Sequence, residues 1–233
     1  MAPKVLAVLS SYGYIEAAKR PTGWYLPELA HPYKVLTSKG AEITTASPKG
    51  GVAPLDPSSV EAFKEDPAAT QFLNTKQAVW EQTAKLSSFV GAGAAQEFDA
   101  LFYPGGFGPM FDLATDAESQ ALIAEFVAAG KPVAAVCHGP VVLAGVKTAA
   151  GRHLVDGKRV TGFSNAEEEF TGIKEYLPFL LEDRLKEAGG RYEKAAEPWA
   201  ENVVVEDGGK LITGQNPGSS KAVGEALAKS LGL

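Results

Sequence analysis

The segment Lys131-Pro-Val-Ala-Ala-Val-Cys-His-Gly-Pro140 joins a short apolar run to a sharp turn and a helix-like stretch. Its cysteine, Cys137, is the only cysteine among 233 residues, and the adjacent His138 is one of three histidines. A nucleophile at such a strand-to-helix turn projects from the carboxyl edge of a sheet, where backbone amides can face a developing oxyanion. Most free cysteines are small buried hydrophobes, so catalysis and simple packing are both open interpretations.

Composition is that of a globular protein that can bury a sizeable core, with 45% hydrophobic and 21% charged residues. No linker, repeat or low-complexity tract interrupts the chain, which favours a single domain over residues 1–233. The 22 basic and 28 acidic residues give a net charge of −6, which argues against nucleic acid and anionic membranes as partners.

The lone cysteine excludes an internal disulfide and favours a reducing, cytoplasmic compartment. The apolar run at the N-terminus is too short for a signal peptide or a membrane span. We therefore expect a soluble protein of the cytoplasm, with the nucleus as a further possible compartment.

Strand-like and helix-like segments alternate, which predicts an α/β fold with a mostly parallel sheet covered on both faces. The predicted strands cover residues 5–10, 42–47, 98–103, 132–136, 158–163, 202–205 and 210–213. The predicted helices cover residues 26–39, 117–129, 140–146, 177–188 and 219–231. The last two strands flank Asp207-Gly-Gly209, which is a strong hairpin signal. Residues 50–69, rich in Pro, Ser and Asp, are expected to form an irregular surface excursion.

A glycine-rich turn, Tyr103-Pro-Gly-Gly-Phe-Gly108, follows the predicted strand 98–103. Glycines permit close backbone approach and leave amides free to bind an anion. The turn lacks the Gly-Lys-Ser/Thr ending of a Walker loop, and no GxGxxG follows the first strand, so nucleotide binding is unsupported. The structural alternative is a tight turn without a ligand.

A cysteine nucleophile usually needs a histidine, and only His31, His138 and His153 are available. His138 could fold back towards the sulfur, and it would need an orienting carboxylate. The acidic run Glu167–Glu169 follows the predicted strand 158–163, so it too lies beyond a strand's carboxyl end, where open α/β sheets bind ligands. The alternative is an exposed helix N-terminus, where acidic residues are favoured by the helix dipole.

Glu28 and His31 are three residues apart near the start of the first helix and could share one face. Zinc normally requires more nitrogen or sulfur ligands than this pair offers. A metal site is therefore not favoured.

In combination, four segments make the chain resemble the ThiJ/PfpI superfamily, across residues 4–230. These segments are Thr22-Gly-Trp…Glu28-Leu-Ala-His-Pro32, the Tyr103 glycine turn, the Cys137 segment, and Thr161-Gly-Phe-Ser-Asn-Ala-Glu-Glu168. Within the superfamily they are similar to the branch of heat-shock-type chaperones and glutathione-independent glyoxalases, known as glyoxalase III.

The resemblance implies a flavodoxin-like, three-layer α/β sandwich with a reactive cysteine in a strained elbow. It implies that Cys137 is the nucleophile, that His138 is its acid/base partner, and that a carboxylate orients His138. From the register of the Thr-Gly-Phe-Ser-Asn motif, that carboxylate is expected to be Glu168, with Glu167 as the fallback.

The resemblance also implies that Glu28 is a second acid that touches the sulfur and shuttles protons. The backbone amides of Gly106 and His138 would form the oxyanion hole. Many relatives carry histidine at the position of Phe107, so this chain keeps His138 as the sole nearby imidazole.

The implied activity is a lyase of the glyoxalase III type that converts methylglyoxal and water to lactate through a cysteine hemithioacetal. It requires no metal, glutathione or other cofactor, and the implied assembly is a homodimer. The alternatives are a holding chaperone or redox sensor whose thiol oxidises, or a cysteine peptidase of the same superfamily. A glutamine amidotransferase is disfavoured because no histidine follows His153.

Overall fold

The computed structural model describes residues 2–233. The strands are β1 (Lys4–Val8), β2 (Tyr14–Ile15), β3 (Arg20–Pro21), β4 (Glu42–Ser47), β5 (Ala84–Lys85), β6 (Ala100–Tyr103), β7 (Val133–Val136), β8 (Arg159–Val160), β9 (Arg191–Tyr192), β10 (Val203–Glu206) and β11 (Leu211–Gly214). The α-helices are α1 (Leu26–Ser38), α2 (Pro57–Ala62), α3 (Pro67–Thr75), α4 (Ala78–Glu81), α5 (Ala94–Glu97), α6 (Gly108–Phe111), α7 (Ala117–Ala128), α8 (Val141–Ala144), α9 (Asn165–Glu168), α10 (Leu181–Glu187) and α11 (Ser220–Ser230). Short 3-10 turns occupy Leu86–Ser88, Leu113–Thr115, Lys174–Tyr176, Asp207–Gly209 and Pro217–Ser219.

A seven-stranded sheet forms the centre of the fold, in the order β10-β11-β7-β6-β1-β4-β5. All neighbouring pairs are parallel except β10 with β11, which are antiparallel. Strands β6 and β7 are buried along their whole length, as expected for strands covered on both faces. The predicted α/β class and mostly parallel sheet are thus confirmed.

Helices complete the sandwich on either side of this sheet. Helices α1 and α11 pack together, and α11 also contacts β7 and β11, whereas α7 packs against β6, β7 and α8. None of the helices in residues 2–233 has both the length and the apolar character needed to cross a membrane.

The chain reverses its direction of travel across the sheet at β1, since β4 pairs with one edge of β1 and β6 with the other. The next strand in the sheet, β7, pairs with β6. The loops that leave β6 and β7 therefore emerge side by side at the carboxyl edge, next to the switch point, where ligands bind in open α/β sheets.

Two predictions about secondary structure are wrong. The segment 158–163 contributes only the two residues of β8, which pair with β9 outside the central sheet. Segment 50–69 is not irregular: it contains α2 and the start of α3, and each of these helices begins at a proline after an aspartate N-cap. Asp-Pro at a helix start is a recognisable signal, and the proline content of the segment obscured it.

Candidate active site

Cys137 sits in a left-handed backbone conformation immediately after β7, with φ of 61°. This region is sparsely populated by residues other than glycine. Two backbone bonds hold the turn: Cys137 N–H donates to the carbonyl of Gly214 at 3.0 Å, and its own carbonyl accepts from Phe163 N–H at 2.8 Å. Strained residues persist where the surroundings fix them, and they cluster at functional sites. The elbow inferred from the sequence is therefore present.

His138 lies between the thiol and a carboxylate. Its Nδ1 is 3.4 Å from Cys137 Sγ, and its Nε2 is 2.6 Å from Glu168 Oε1. Phe107 and Phe163 pack on the imidazole, with ring centroids 4.7 and 4.5 Å away. A carboxylate can only accept, so it favours the tautomer with the proton on Nε2, and the Nδ1 lone pair then faces the thiol.

Glu168 reaches the imidazole because α9 begins with a capping box. Ser164 Oγ accepts from the Glu167 amide, and the Glu167 side chain accepts from the Ser164 amide, which satisfies two donors that a helix start leaves free. The short helix then presents the fully buried Glu168 carboxylate to His138. The structure brings together the expected Cys137, His138 and Glu168.

The fallback carboxylate, Glu167, has a different set of partners. It accepts five hydrogen bonds, from the amide and hydroxyl of Ser164, the side chains of Gln215 and Asn216, and the amide of Trp199, at 2.7 to 3.1 Å. Trp199 has φ of 67° and is 48% exposed at the mouth of the site. Glu167 therefore fixes a strained loop at the rim.

Glu28 approaches the thiol from the first turn of α1. It is fully buried, its Oε2 accepts from the Gly105 amide at 2.7 Å, and its Oε1 has no hydrogen-bond partner in residues 2–233. Burial raises the pKa of Glu28 from 4.5 to about 8, because an apolar environment disfavours the charged form. At pH 7 this carboxyl is therefore mostly protonated and can donate its proton.

Burial raises the pKa of the Cys137 thiol well above 9, and the neighbouring Glu28 carboxyl raises it further. The nearby Gly106 amide partly opposes this shift. The resting thiol thus keeps its proton, and the Nδ1 atom of His138 is placed to accept it.

Gly106 and His138 are the residues whose amides are expected to form an oxyanion hole, and the Gly106 amide lies close enough to the thiol to lower its pKa. Neither amide donates to a backbone carbonyl within residues 2–233. Gly106 has φ of +79°, and a Cβ there would lie 2.3 Å from the carbonyl of Gly23. Only glycine fits both constraints, so this residue type is what brings the Gly106 amide to the sulfur.

These groups open into a cavity of about 190 Å³. Its lining combines the reactive groups with hydroxyls and a rim of aromatic side chains: Arg20, Tyr25, Glu28, Ser58, Gly106, Phe107, Cys137, His138, Phe163, Phe170, Thr171, Trp199 and Pro217. Pockets for drug-sized ligands usually measure about 300–1,000 Å³. A small organic substrate suits this cavity.

The other two histidines lie outside this site. His31 bonds to Asp66 at 2.9 Å, beside a separate cavity of about 600 Å³. His153 bonds to the carbonyl of Ala144 at 2.7 Å. Within residues 2–233, no three His, Cys, Asp or Glu side chains are grouped as a metal ion requires.

Sequence reasoning missed several residues around the mouth of the cavity. Arg20 comes from the small β2–β3 hairpin, and Trp199 and Phe170 come from loops. None belongs to a motif or follows a strand of the central sheet, so no local signal identifies them. Only the tertiary fold brings these segments to the cysteine.

The chain belongs to the DJ-1/PfpI family, which matches residues 23–230. The α/β fold described above is shared with solved structures to which the chain is similar. Glutathione-independent glyoxalase HSP31 of Saccharomyces cerevisiae is 31% identical over 94% of each chain.

Two solved structures are also similar to this chain. Glyoxalase III of Candida albicans superposes with a TM-score of 0.88 and 25% identity, covering 98% of this chain and 97% of that one. The Rapid Encystment Protein 24 kDa of Francisella tularensis gives a TM-score of 0.90 and 34% identity, covering 98% and 99%.

Proposed function

We propose that this protein is a glutathione-independent glyoxalase that converts methylglyoxal, or a similar small 2-oxoaldehyde, and water into a 2-hydroxy acid. The observation that carries the proposal is a pair of buried contacts made by the His138 imidazole, to Cys137 Sγ at 3.4 Å and to Glu168 Oε1 at 2.6 Å. The site has its own thiol for the role that glutathione plays in other glyoxalases. The similarity to proteins named glutathione-independent glyoxalases supports the same activity.

In the first step, the sulfur of Cys137 attacks the aldehyde carbon as the thiol proton passes to His138 Nδ1. Glu168 stabilises the imidazolium that forms, since its carboxylate already accepts from Nε2. The amides of Gly106 and His138 stabilise the oxyanion on the former aldehyde oxygen. Protonation of that oxygen gives a hemithioacetal.

In the second step, a base removes the proton from C1 and the resulting enediol is protonated at C2. His138, neutral once it has given its proton to the oxyanion, is available as the base. The protonated Glu28 carboxyl, whose Oε1 has no hydrogen-bond partner in residues 2–233, is available as the proton donor. The product is a thioester of the 2-hydroxy acid. Water then cleaves the thioester, releases lactate and restores the Cys137 thiol, so the atoms balance without a redox partner.

The test is a glutathione-free assay of methylglyoxal consumption with chiral detection of lactate. Cys137→Ala should form no lactate while retaining the native circular dichroism spectrum. His138→Gln should lose about 100-fold or more in kcat, the usual contribution of general acid–base catalysis. Appreciable lactate formation by Cys137→Ala would refute the cysteine-dependent lyase mechanism.

The matched control for His138 is His153→Gln, because His153 lies outside the cavity. It should retain native turnover. The homodimer and the cytoplasmic location inferred from the sequence stay predictions.

A further inference from the structure

Arg20 is the one arginine or lysine in the lining of the catalytic cavity, as far as residues 2–233 show. It lies in β3, outside every segment that the sequence analysis associated with chemistry. The catalytic steps above do not use it. Its position in the cavity therefore calls for a separate explanation.

Arg20 is held at the cavity mouth by weak contacts to three different segments. Its two terminal nitrogens each lie 3.3 Å from an acceptor, the Thr171 carbonyl and Ser58 Oγ. The guanidinium carbon is 5.9 Å from the ring centroid of Phe107. A guanidinium has five N–H donors, so most of those on Arg20 have no partner within residues 2–233.

No carboxylate within residues 2–233 forms an ion pair with Arg20; the arginines that do form them are Arg152, Arg159 and Arg184. Asp56, a nearby acid, is reached only through Ser58, whose hydroxyl donates to it at 2.6 Å. Asp56 is fully buried and also accepts from the Ser58 amide and the Thr22 hydroxyl. The Asp56 carboxylate thus already accepts hydrogen bonds from Ser58 and Thr22 and does not contact Arg20 directly.

The rest of the cavity does not offset the Arg20 charge. Glu28 is mostly neutral at pH 7 because burial raises its pKa to about 8. Burial also keeps the Cys137 thiol protonated by raising its pKa. Tyr25 also lines the cavity, and its pKa is raised by burial, Glu28, Cys137 and Asp56 and lowered by Arg20. Among the described residues that line the cavity, Arg20 is therefore the one cation, and the two acids Glu28 and Cys137 are mostly protonated at pH 7.

We propose that Arg20 forms an anion subsite, and that the preferred substrates are 2-oxoaldehydes that carry a carboxylate at the end remote from the aldehyde. The aldehyde would lie at Cys137 while the carboxylate meets the planar fork of Arg20, a geometry that arginine matches well. The cavity volume of about 190 Å³ corresponds to about six water molecules of ~30 Å³ each, which suits a substrate of a few carbon atoms. The substrate class rests on the proposed function, whereas the subsite itself does not.

Alkylation of Cys137 tests the subsite without any turnover. The chain has one cysteine, so the rate of its modification by anionic iodoacetate and by neutral iodoacetamide can be followed by intact mass. Arg20→Gln should lower the iodoacetate-to-iodoacetamide rate ratio about 10- to 100-fold, the value of a hydrogen bond to a charged group. Arg20→Lys, which keeps the charge without the fork, should fall between the two.

The matched control is Arg152→Gln, because Arg152 is exposed and lies outside the cavity. It should leave the rate ratio at the native value. An equal ratio in the native protein, Arg20→Gln and Arg152→Gln would overturn the subsite. If Arg20→Gln fails to fold, Arg20→Lys serves as the test. A lowered rate ratio in Arg20→Lys, together with a native circular dichroism spectrum, supports the subsite by itself.

Turnover then tests the substrate class. The native protein should use 4,5-dioxovalerate, a 2-oxoaldehyde that ends in a carboxylate, with a higher kcat/KM than methylglyoxal, and Arg20→Gln should lose this preference. Absence of any oxoaldehyde turnover, with the alkylation ratio still dependent on Arg20, would refute the glyoxalase proposal and leave the subsite standing. A preference for methylglyoxal in the native protein would refute the substrate class.

Discussion

Glu167 and Glu168 are consecutive residues of α9, yet their buried carboxylates serve different parts of the site. Glu168 Oε1 lies 2.6 Å from His138 Nε2, whereas Glu167 Oε1 lies 2.9 Å from the amide of Trp199. Successive side chains of a helix point about 100° apart, so one turn supports both the imidazole and the rim. This division of roles leads to two separate predictions.

Glu168→Gln should lower kcat for methylglyoxal about 100-fold or more, with little change in KM. The amide can present its N–H to Nε2, which favours the wrong tautomer of His138 and removes the charge that stabilises the imidazolium. Steady-state kinetics without glutathione measure this. Glu169→Gln is the matched control, because Glu169 is exposed and pairs with Lys174; equal losses in both variants would contradict the role of Glu168.

Glu167→Ala should lower the free energy of unfolding by about 3–5 kcal/mol, as expected when one member of a buried hydrogen-bonded network is removed. The side chains of Gln215 and Asn216 and the amide of Trp199 would lose their acceptor. Urea unfolding measures the change. The exposed Glu169→Ala should change the same quantity by only about 0.5 kcal/mol, and a similarly small change in Glu167→Ala would contradict the anchoring role.

The raised pKa of Glu28 predicts that catalytic activity falls at alkaline pH. The protonated carboxyl is the proton donor, so kcat/KM should fall as pH rises through about 8, where Glu28 loses its proton and its charge opposes formation of the thiolate. Glu28→Gln should lower turnover and eliminate this decline. A decline of the same midpoint in Glu28→Gln would assign it to another group.

The raised pKa of Glu28 also affects the stability of the folded protein. The folded-state pKa of about 8 exceeds the ordinary value of 4.5, so the folded protein binds more protons than the unfolded chain between these limits. Stability should therefore fall as pH rises from about 4.5 to about 8. Relative to the native protein, Glu28→Gln should gain stability across this window, by up to ~5 kcal/mol. Thermal unfolding of both proteins at pH 5 and at pH 8 measures this gain. A stability difference between Glu28→Gln and the native protein that is the same at both pH values would contradict it.

Gly106→Ala should abolish turnover and destabilise the fold. The new Cβ would meet the Gly23 carbonyl at 2.3 Å in a backbone with φ of +79°, so the turn must move and withdraw its amide from the sulfur. The control is Gly40→Ala, where φ is +91° and no atom lies within 4 Å of the added Cβ. It should cost only the conformational strain of about 1–2 kcal/mol, with turnover retained. Native turnover in Gly106→Ala would refute the predicted oxyanion hole.

Local patterns were enough for most of the central elements. The predicted strand 42–47 has the observed bounds, the predicted strand 132–136 begins one residue early, and the predicted strand 210–213 is displaced by one residue. Prediction failed for 158–163, because the apolar pattern of a strand does not specify which sheet it joins. Prediction also fails for 50–69, because the Pro, Ser and Asp content that is typical of irregular segments here includes the Asp-Pro starts of α2 and α3.

The sequence by itself determined the reactive elbow. A lone cysteine beside a histidine after an apolar strand predicts the turn at Cys137, and a glycine turn follows another strand, because both patterns reflect local backbone geometry. The family resemblance implies the roles of Cys137, His138 and Gly106. The resemblance implied Glu168 as the carboxylate that meets the imidazole and kept Glu167 as the fallback. The tertiary structure shows the physical reason, since Glu167 is held by its capping box and by Gln215 and Asn216 far along the chain. It also decided the charge of the cavity mouth, because Arg20 reaches Thr171 and Ser58 only when distant segments pack around the sheet edge.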